Sequence, residues 1–182
     1  MKTKIMFLTV ALMVTLLAKG QIVPDSASVV LKNAYKQAAT EKKNVMVVFH
    51  ASWCGWCKKF EASINDSTCK DYFARSYVIC ELTIMESKGK ENLNTPGAID
   101  IYNKNGGSGG IPYFLIYNSK GKLLADSKMK PAGAKADDKP VNIGCPASAE
   151  EVAAFVEILR KTSKITDKEV TAVTERFKKN KS

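Results

Sequence analysis

The chain has little histidine and little tryptophan: His50 stands alone, and the two tryptophans are Trp53 and Trp56. One histidine removes any H-x-x-x-H metal pair, and no second C-x-x-C accompanies the one at Cys54 and Cys57, so the ligands of a structural zinc site are missing. Lys58 stands where covalent haem attachment would need histidine after the second cysteine. Cys54, Cys57, Cys69, Cys80 and Cys145 are too few for a disulfide scaffold, and five is an odd number, so at least one stays unpaired in a monomer. No uncharged, mostly apolar run is long enough to cross a membrane comfortably; the one over 5–18 is shorter than a span. Repeats and a second domain are also lacking. The formal charge of +10 comes from scattered lysines without interleaved aromatics, which argues against nucleic-acid binding and for a solvated surface.

What is present begins with a leader. Lys2 and Lys4 precede the apolar run, and Ala18-Lys19-Gly20 offers small residues for cleavage. Residues 1–20 are therefore expected to be a signal peptide and 21–182 the mature domain, of charge about +7 once Lys2, Lys4 and Lys19 are removed. A retained N-terminal anchor is the alternative. No cysteine follows the apolar run, so lipid attachment there is not expected, and the C-terminus lacks an endoplasmic-reticulum retention signal. Export to a periplasm, or secretion, fits, and with it an oxidising compartment.

The stretch that organises the chain is Trp53-Cys54-Gly55-Trp56-Cys57-Lys58. Before it, 45–49 is a short apolar, β-branched run that predicts a buried strand. After it, 58–62 is rich in helix formers. The two thiols thus fall where a strand ends and a helix begins, one helical turn apart. Free N–H groups and the dipole at a helix N-terminus favour a thiolate at Cys54, which makes a nucleophile.

Elsewhere, helical spacing over 28–43 brings Val30, Leu31, Ala34, Tyr35 and Ala38 together, with Asp25 or Ser26 as cap and Asn44 at the end. A short helix is expected over 68–74, a strand over 77–84 and a polar loop over 85–94. Thr95-Pro96 reads as a helix start, with threonine as cap and the helix running to about Asn103. The run 105–110 is glycine-rich and reads as flexible. A β-hairpin over 113–126 is expected, then a polar loop over 128–146. Ser148 and Glu151 form a capping-box pattern ahead of Val152, Phe155, Val156 and Leu159. Thr166 and Glu169 repeat it ahead of a last helix carrying Val170, Val173 and Phe177.

The segment from Val47 to Lys58, with its W-C-G-W-C centre, resembles the active-site segment of the thioredoxin superfamily. About fifty residues later, Gly110-Ile111-Pro112-Tyr113-Phe114 resembles that family's cis-proline loop and following strand. The resemblance covers roughly 28–163, leaving 164–182 as a C-terminal helical extension. It is nearest to exported bacterial thioredoxin-like proteins.

The resemblance implies an α/β fold, a central mixed sheet flanked by helices. It implies a disulfide oxidoreductase in which Cys54 attacks a partner's disulfide and Cys57 resolves the mixed disulfide. Ile111 and Pro112 would face Cys54, with the Ile111 backbone pairing with a bound peptide. An ordinary trans proline at a strand start is the alternative. Trp53 would support the loop, while Gly55 and Trp56, between the cysteines, would tune the pair and meet partners. Val48 stands where thioredoxins commonly bury an aspartate that helps deprotonate the second cysteine, so either that help would come from His50, from a glutamate elsewhere or from water, or Cys57 would react more slowly. His50 reads first as a packed residue and second as a proton carrier. Cys69 and Cys80 read as buried free thiols. Cys145 would border the groove as a small apolar residue, or alternatively pair with Cys54. The glycine-rich run is longer than the usual link; it reads as a tolerated insertion, alternatively as a mobile flap.

The expected partners are protein thiol or disulfide substrates and a redox protein supplying or accepting electrons. No cofactor, no metal, no nucleic acid and no stable membrane insertion after leader cleavage are expected, and the protein is expected to act as a monomer. Reductase is the first reading and oxidase or isomerase the second. A binding module with incidental cysteines and a metallochaperone are the readings from other classes.

Overall fold

The computed structural model describes residues 24–108 and 110–181. The leader expected over 1–20 lies outside them.

Strand β1, Asn44–His50, is the centre of the molecule. It pairs in parallel with β2, Tyr77–Thr83, and antiparallel with β3, Tyr113–Tyr117, which pairs antiparallel with β4, Leu123–Asp126. The mixed sheet runs β2-β1-β3-β4. Both faces of β1 and β3 are covered, which is why their sequences are continuous apolar runs.

Side chains alternate between the two faces. Met46, Val48, Phe114 and Ile116 enter one core, and Val45, Val47, Phe49, Tyr113, Leu115 and Tyr117 the other. The second core is closed by α1, Ala27–Glu41, and α4, Ala98–Lys104. The first is closed by α2, Gly55–Ile64, α3, Lys70–Ser76, α5, Ala149–Thr162, and α6, Asp167–Lys178. Phe60, Phe114, Phe155 and Phe177 meet there with ring centroids 4.9–6.0 Å apart. The α/β architecture, a mixed sheet flanked by helices with extra C-terminal helical material, is the one the sequence predicts.

Both capping boxes form. Ser148 Oγ accepts from Glu151 N and Thr166 Oγ1 from Glu169 N, while each glutamate accepts from its own cap's N–H. Val173 and Phe177 are fully buried and Val170 partly so.

Two expectations change. The helix expected from Thr95-Pro96 begins at Ala98 behind Gly97, whose φ of 79° suits glycine. Thr95 is instead spent on the end of β2: its Oγ1 accepts from Thr83 N at 3.0 Å and its N–H donates to Thr83 O at 2.9 Å. The loop over 128–146 contains a two-stranded ribbon of β5, Lys128–Met129, and β6, Val141–Asn142. In the glycine-rich run, the described residues 105–107 and 110 make hydrogen bonds to the body of the protein. Gly107 N donates to Tyr102 O, the Tyr102 hydroxyl bridges the N–H and carbonyl of Gly110, and Asn105 O accepts from the Tyr113 hydroxyl and Lys128 Nζ. A Cβ on Gly107 would run into the Tyr102 ring.

Candidate active site

β1 ends at His50, the chain turns through 51–54, and α2 begins at Gly55. Cys54 is the N-cap of α2, and its sulfur accepts from Cys57 N at 3.1 Å. Cys54 and Cys57 form a disulfide. Both are largely covered, packed with Ala51 and Ile111.

The second wall comes from the start of β3. The Ile111–Pro112 peptide bond is cis, and Cys54 Sγ lies 3.7 Å from Ile111 O. Asn142 holds this loop from behind, donating through Nδ2 to Pro112 O at 2.9 Å and Gly110 O at 3.2 Å. Trp56, Ile111, Pro112, Gly144, Cys145, Ala147 and Glu151 line a groove of about 210 Å³ beside the dithiol. Trp53, Gly55 and Trp56 are exposed around it, and Lys59 Nζ lies 4.8 Å over the Trp56 ring.

The third support was not visible in the sequence. Glu86 reaches back from the loop after β2 and accepts from Ser52 N at 2.5 Å and Ser52 Oγ at 2.7 Å. Burial alone would raise its carboxyl; the bonds from Ser52 and Ser87 and the nearby Lys90 charge outweigh this and hold it below the usual value. Next to it Trp53 Nε1 donates to Met85 O at 2.7 Å, and Met85 sits in the left-handed region at φ 57°. The bonds on either side hold a methionine in a conformation it seldom adopts.

His50 is half-buried, its Nε2 3.2 Å from Thr83 Oγ1 and 4.0 Å from Glu81 Oε2. It lines a cavity of about 270 Å³ that Cys57 also lines. Cys145 is buried and free, its sulfur accepting from Asn180 Nδ2 at 3.3 Å, and burial pushes its thiol up to about 12. Such a thiol is a poor nucleophile, which weighs against a Cys54–Cys145 exchange. Cys69 is buried and free; Cys80 is free and only partly covered in the sheet. Among the described residues no group of three or more His, Cys, Asp or Glu could hold a metal ion, and no helix is long and apolar enough to cross a membrane.

A family model described as thioredoxin-like matches residues 28–119, just over half of the chain. The chain belongs to the thioredoxin-like family. Among solved structures it is similar to disulphide isomerase from Xylella fastidiosa Temecula1, at 20% identity over 55% of this chain and 72% of that one, with a TM-score of 0.45. It is similar to the DsbH oxidoreductase at 18% identity, over 75% of this chain and 83% of that one, with a TM-score of 0.41. A mutant thioredoxin from Halobacterium salinarum is similar at 15% identity, over 79% of this chain and 93% of that one, with a TM-score of 0.40. The family match and the close Cys-x-x-Cys pair at the start of α2 together support thiol–disulfide oxidoreductase chemistry.

Asn142, Glu81 and Glu86 are the site residues that sequence reasoning missed. Each comes from a distant element or a polar loop, where glutamate and asparagine read as solvated residues.

Proposed function

We propose that this protein is an exported disulfide reductase, which opens disulfides in exported proteins or in a redox partner through Cys54 and Cys57. The observation that carries the reading is the placement of Cys54, which caps α2 while facing the Ile111–Pro112 loop. In the reduced protein Cys54 thiolate attacks one sulfur of the target disulfide, giving a mixed disulfide and releasing the other sulfur as a thiol. Cys57 then displaces the target, and the Cys54–Cys57 disulfide remains, ready for re-reduction by a donor protein. The exposed Trp53, Gly55 and Trp56 and the backbone of Ile111 and Pro112 receive the target peptide. The charged and apolar leader over 1–20 supports export.

The test is the equilibrium potential of the Cys54–Cys57 pair against glutathione, combined with a Cys57→Ser variant to trap mixed disulfides with exported proteins. A value near the thioredoxin end, about −270 mV, with trapped targets supports the reductase. A value of about −180 to −120 mV would replace it with an isomerase or oxidase. A pair without a reversible two-electron titration would leave a binding module.

A further inference from the structure

Cys57 has to shed a proton before it can resolve a mixed disulfide, and it lies buried at the first turn of α2. A cavity of about 270 Å³ opens behind it, far more than a water molecule needs. Val48, Ala51 and Phe60 are its apolar lining, and His50, Ser52 and Glu81 are among its polar lining. The strand register explains their meeting. β1 and β2 are parallel, with Val48 opposite Glu81 and His50 opposite Thr83, and side chains two residues apart share a face. Glu81 and His50 therefore stand side by side on the α2 side of the sheet, Oε2 to Nε2 4.0 Å apart, with Thr83 Oγ1 3.2 Å from the same nitrogen. The other charged groups lining the cavity are Lys58 and Glu61 of α2.

We propose that His50 and Glu81 act together as the proton relay of Cys57, with water in this cavity as the link. This rests on the exchange reading of the Cys54–Cys57 pair. In the mixed disulfide Cys54 Sγ is bonded to the target sulfur. The Cys57 S–H proton passes through water to the imidazole, and the carboxylate of Glu81 stabilises the imidazolium formed. The Cys57 electron pair makes the bond to Cys54 Sγ, the bond from Cys54 to the target breaks, and the target sulfur leaves with that electron pair and takes a proton from solvent. Two electrons have passed to the target, and the relay proton returns to solvent. His50 and Glu81 are positioning and proton-holding groups; neither touches the reacting sulfurs.

The test uses reduced full-length mature protein and 5,5′-dithiobis(2-nitrobenzoate) in stopped flow. The first thionitrobenzoate release reports attack by Cys54, and the second reports resolution by Cys57. His50→Gln and Glu81→Gln are compared with the parent from pH 5 to 9. The expected result is a second release slowed about tenfold or more at pH 7 in both variants, with its pH profile displaced upward towards that of an unassisted thiol. The double variant is expected to be no slower than either single one, since the two act as a unit. Glu81 is 43% exposed, so its substitution leaves the fold intact. A second release with unchanged rate and profile in both variants would overturn the relay. Failure of the exchange reading would look different: the parent itself would give no second release from the Cys54–Cys57 pair.

Discussion

Cys57 N donates to Cys54 Sγ across 3.1 Å, so the first cysteine of the pair caps the helix that carries the second. The bond and the helix dipole both favour negative charge on Cys54. Alkylation of a reduced Cys57→Ser variant with iodoacetamide, followed against pH by mass spectrometry, is expected to show Cys54 reacting with a midpoint below the roughly 8.5 of free cysteine. The remaining thiols are expected to be spared at pH 7, because burial raises Cys69 and pushes Cys80 and Cys145 up to about 12. A Cys54 midpoint at or above the free value would mean that the cap does not activate it.

Glu86 clasps the active-site turn through Ser52, and the clasp should be measurable as stability. Glu86→Ala removes two bonds to a carboxylate at a residue only 9% exposed. The expected loss in urea unfolding is about 2 kcal/mol, the scale of hydrogen bonds to charged groups. The same change releases the loop that holds Trp53 through Met85 O, so the Cys54 reaction with a folded protein disulfide should slow more than its reaction with a small disulfide. Equal slowing of both would place the defect in the dithiol itself.

The sheet, the two C-terminal caps and the dithiol could be read from the chain because each is carried by local signals. Continuous apolar runs over 45–49 and 113–117 give buried strands, Ser148/Glu151 and Thr166/Glu169 give helix starts, and C-x-x-C at a strand–helix junction gives the chemistry. What could not be read depends on partners far away in sequence. Thr95 has the look of a cap until the end of β2 claims its hydroxyl 12 residues back. The glycine-rich run has the composition of a flexible link, and its bonds to Tyr102, Tyr113, Lys128 and Asn142 come from residues that its own composition does not announce. Asn180, in a lysine-rich tail, gave no sign of burial.

That tail supplies the next test. Asn180 is 4% exposed; its Nδ2 donates to Ser63 Oγ at 3.0 Å and Pro146 O at 3.2 Å, and its Oδ1 accepts from Arg176 Nη1 at 3.1 Å. It fastens the extension to α2 and to the loop bearing Cys145. Phe177→Ala is expected to cost about 3–5 kcal/mol, as for a fully buried aromatic, and Asn180→Ala about 1–3 kcal/mol through the donors and acceptors it strands. Chemical denaturation measures both. Losses under about 0.5 kcal/mol, the range of ordinary surface changes, would mean that 164–182 is an appendage rather than part of the core.

The cap of α6 also ties that helix to α3, and the tie is sensitive to acid. Arg75 Nη1 lies 2.8 Å from Glu169 Oε1, and the Thr166 N–H and hydroxyl reach Oε2 at 2.9 and 2.8 Å. The Arg75 bond first, then those from Thr166, hold the Glu169 carboxyl down at about 2 against an ordinary 4.5. A carboxyl lowered by folding contributes its stability in full above the ordinary value and loses it as pH falls towards the folded value. Glu169→Gln removes the charge while keeping a side chain that can still cap. The variant should therefore be less stable than the parent by about 1 kcal/mol near neutral pH, since Arg75 is largely exposed and the pair is screened. The gap should close as pH falls from about 4.5 to about 2 in urea unfolding. It should also narrow on raising salt at pH 7, because Arg75 is the exposed partner. A gap that stays constant across that acid range would show that Glu169 acts through packing and its neutral hydrogen bonds, with Arg75 contributing nothing to holding α6 in place.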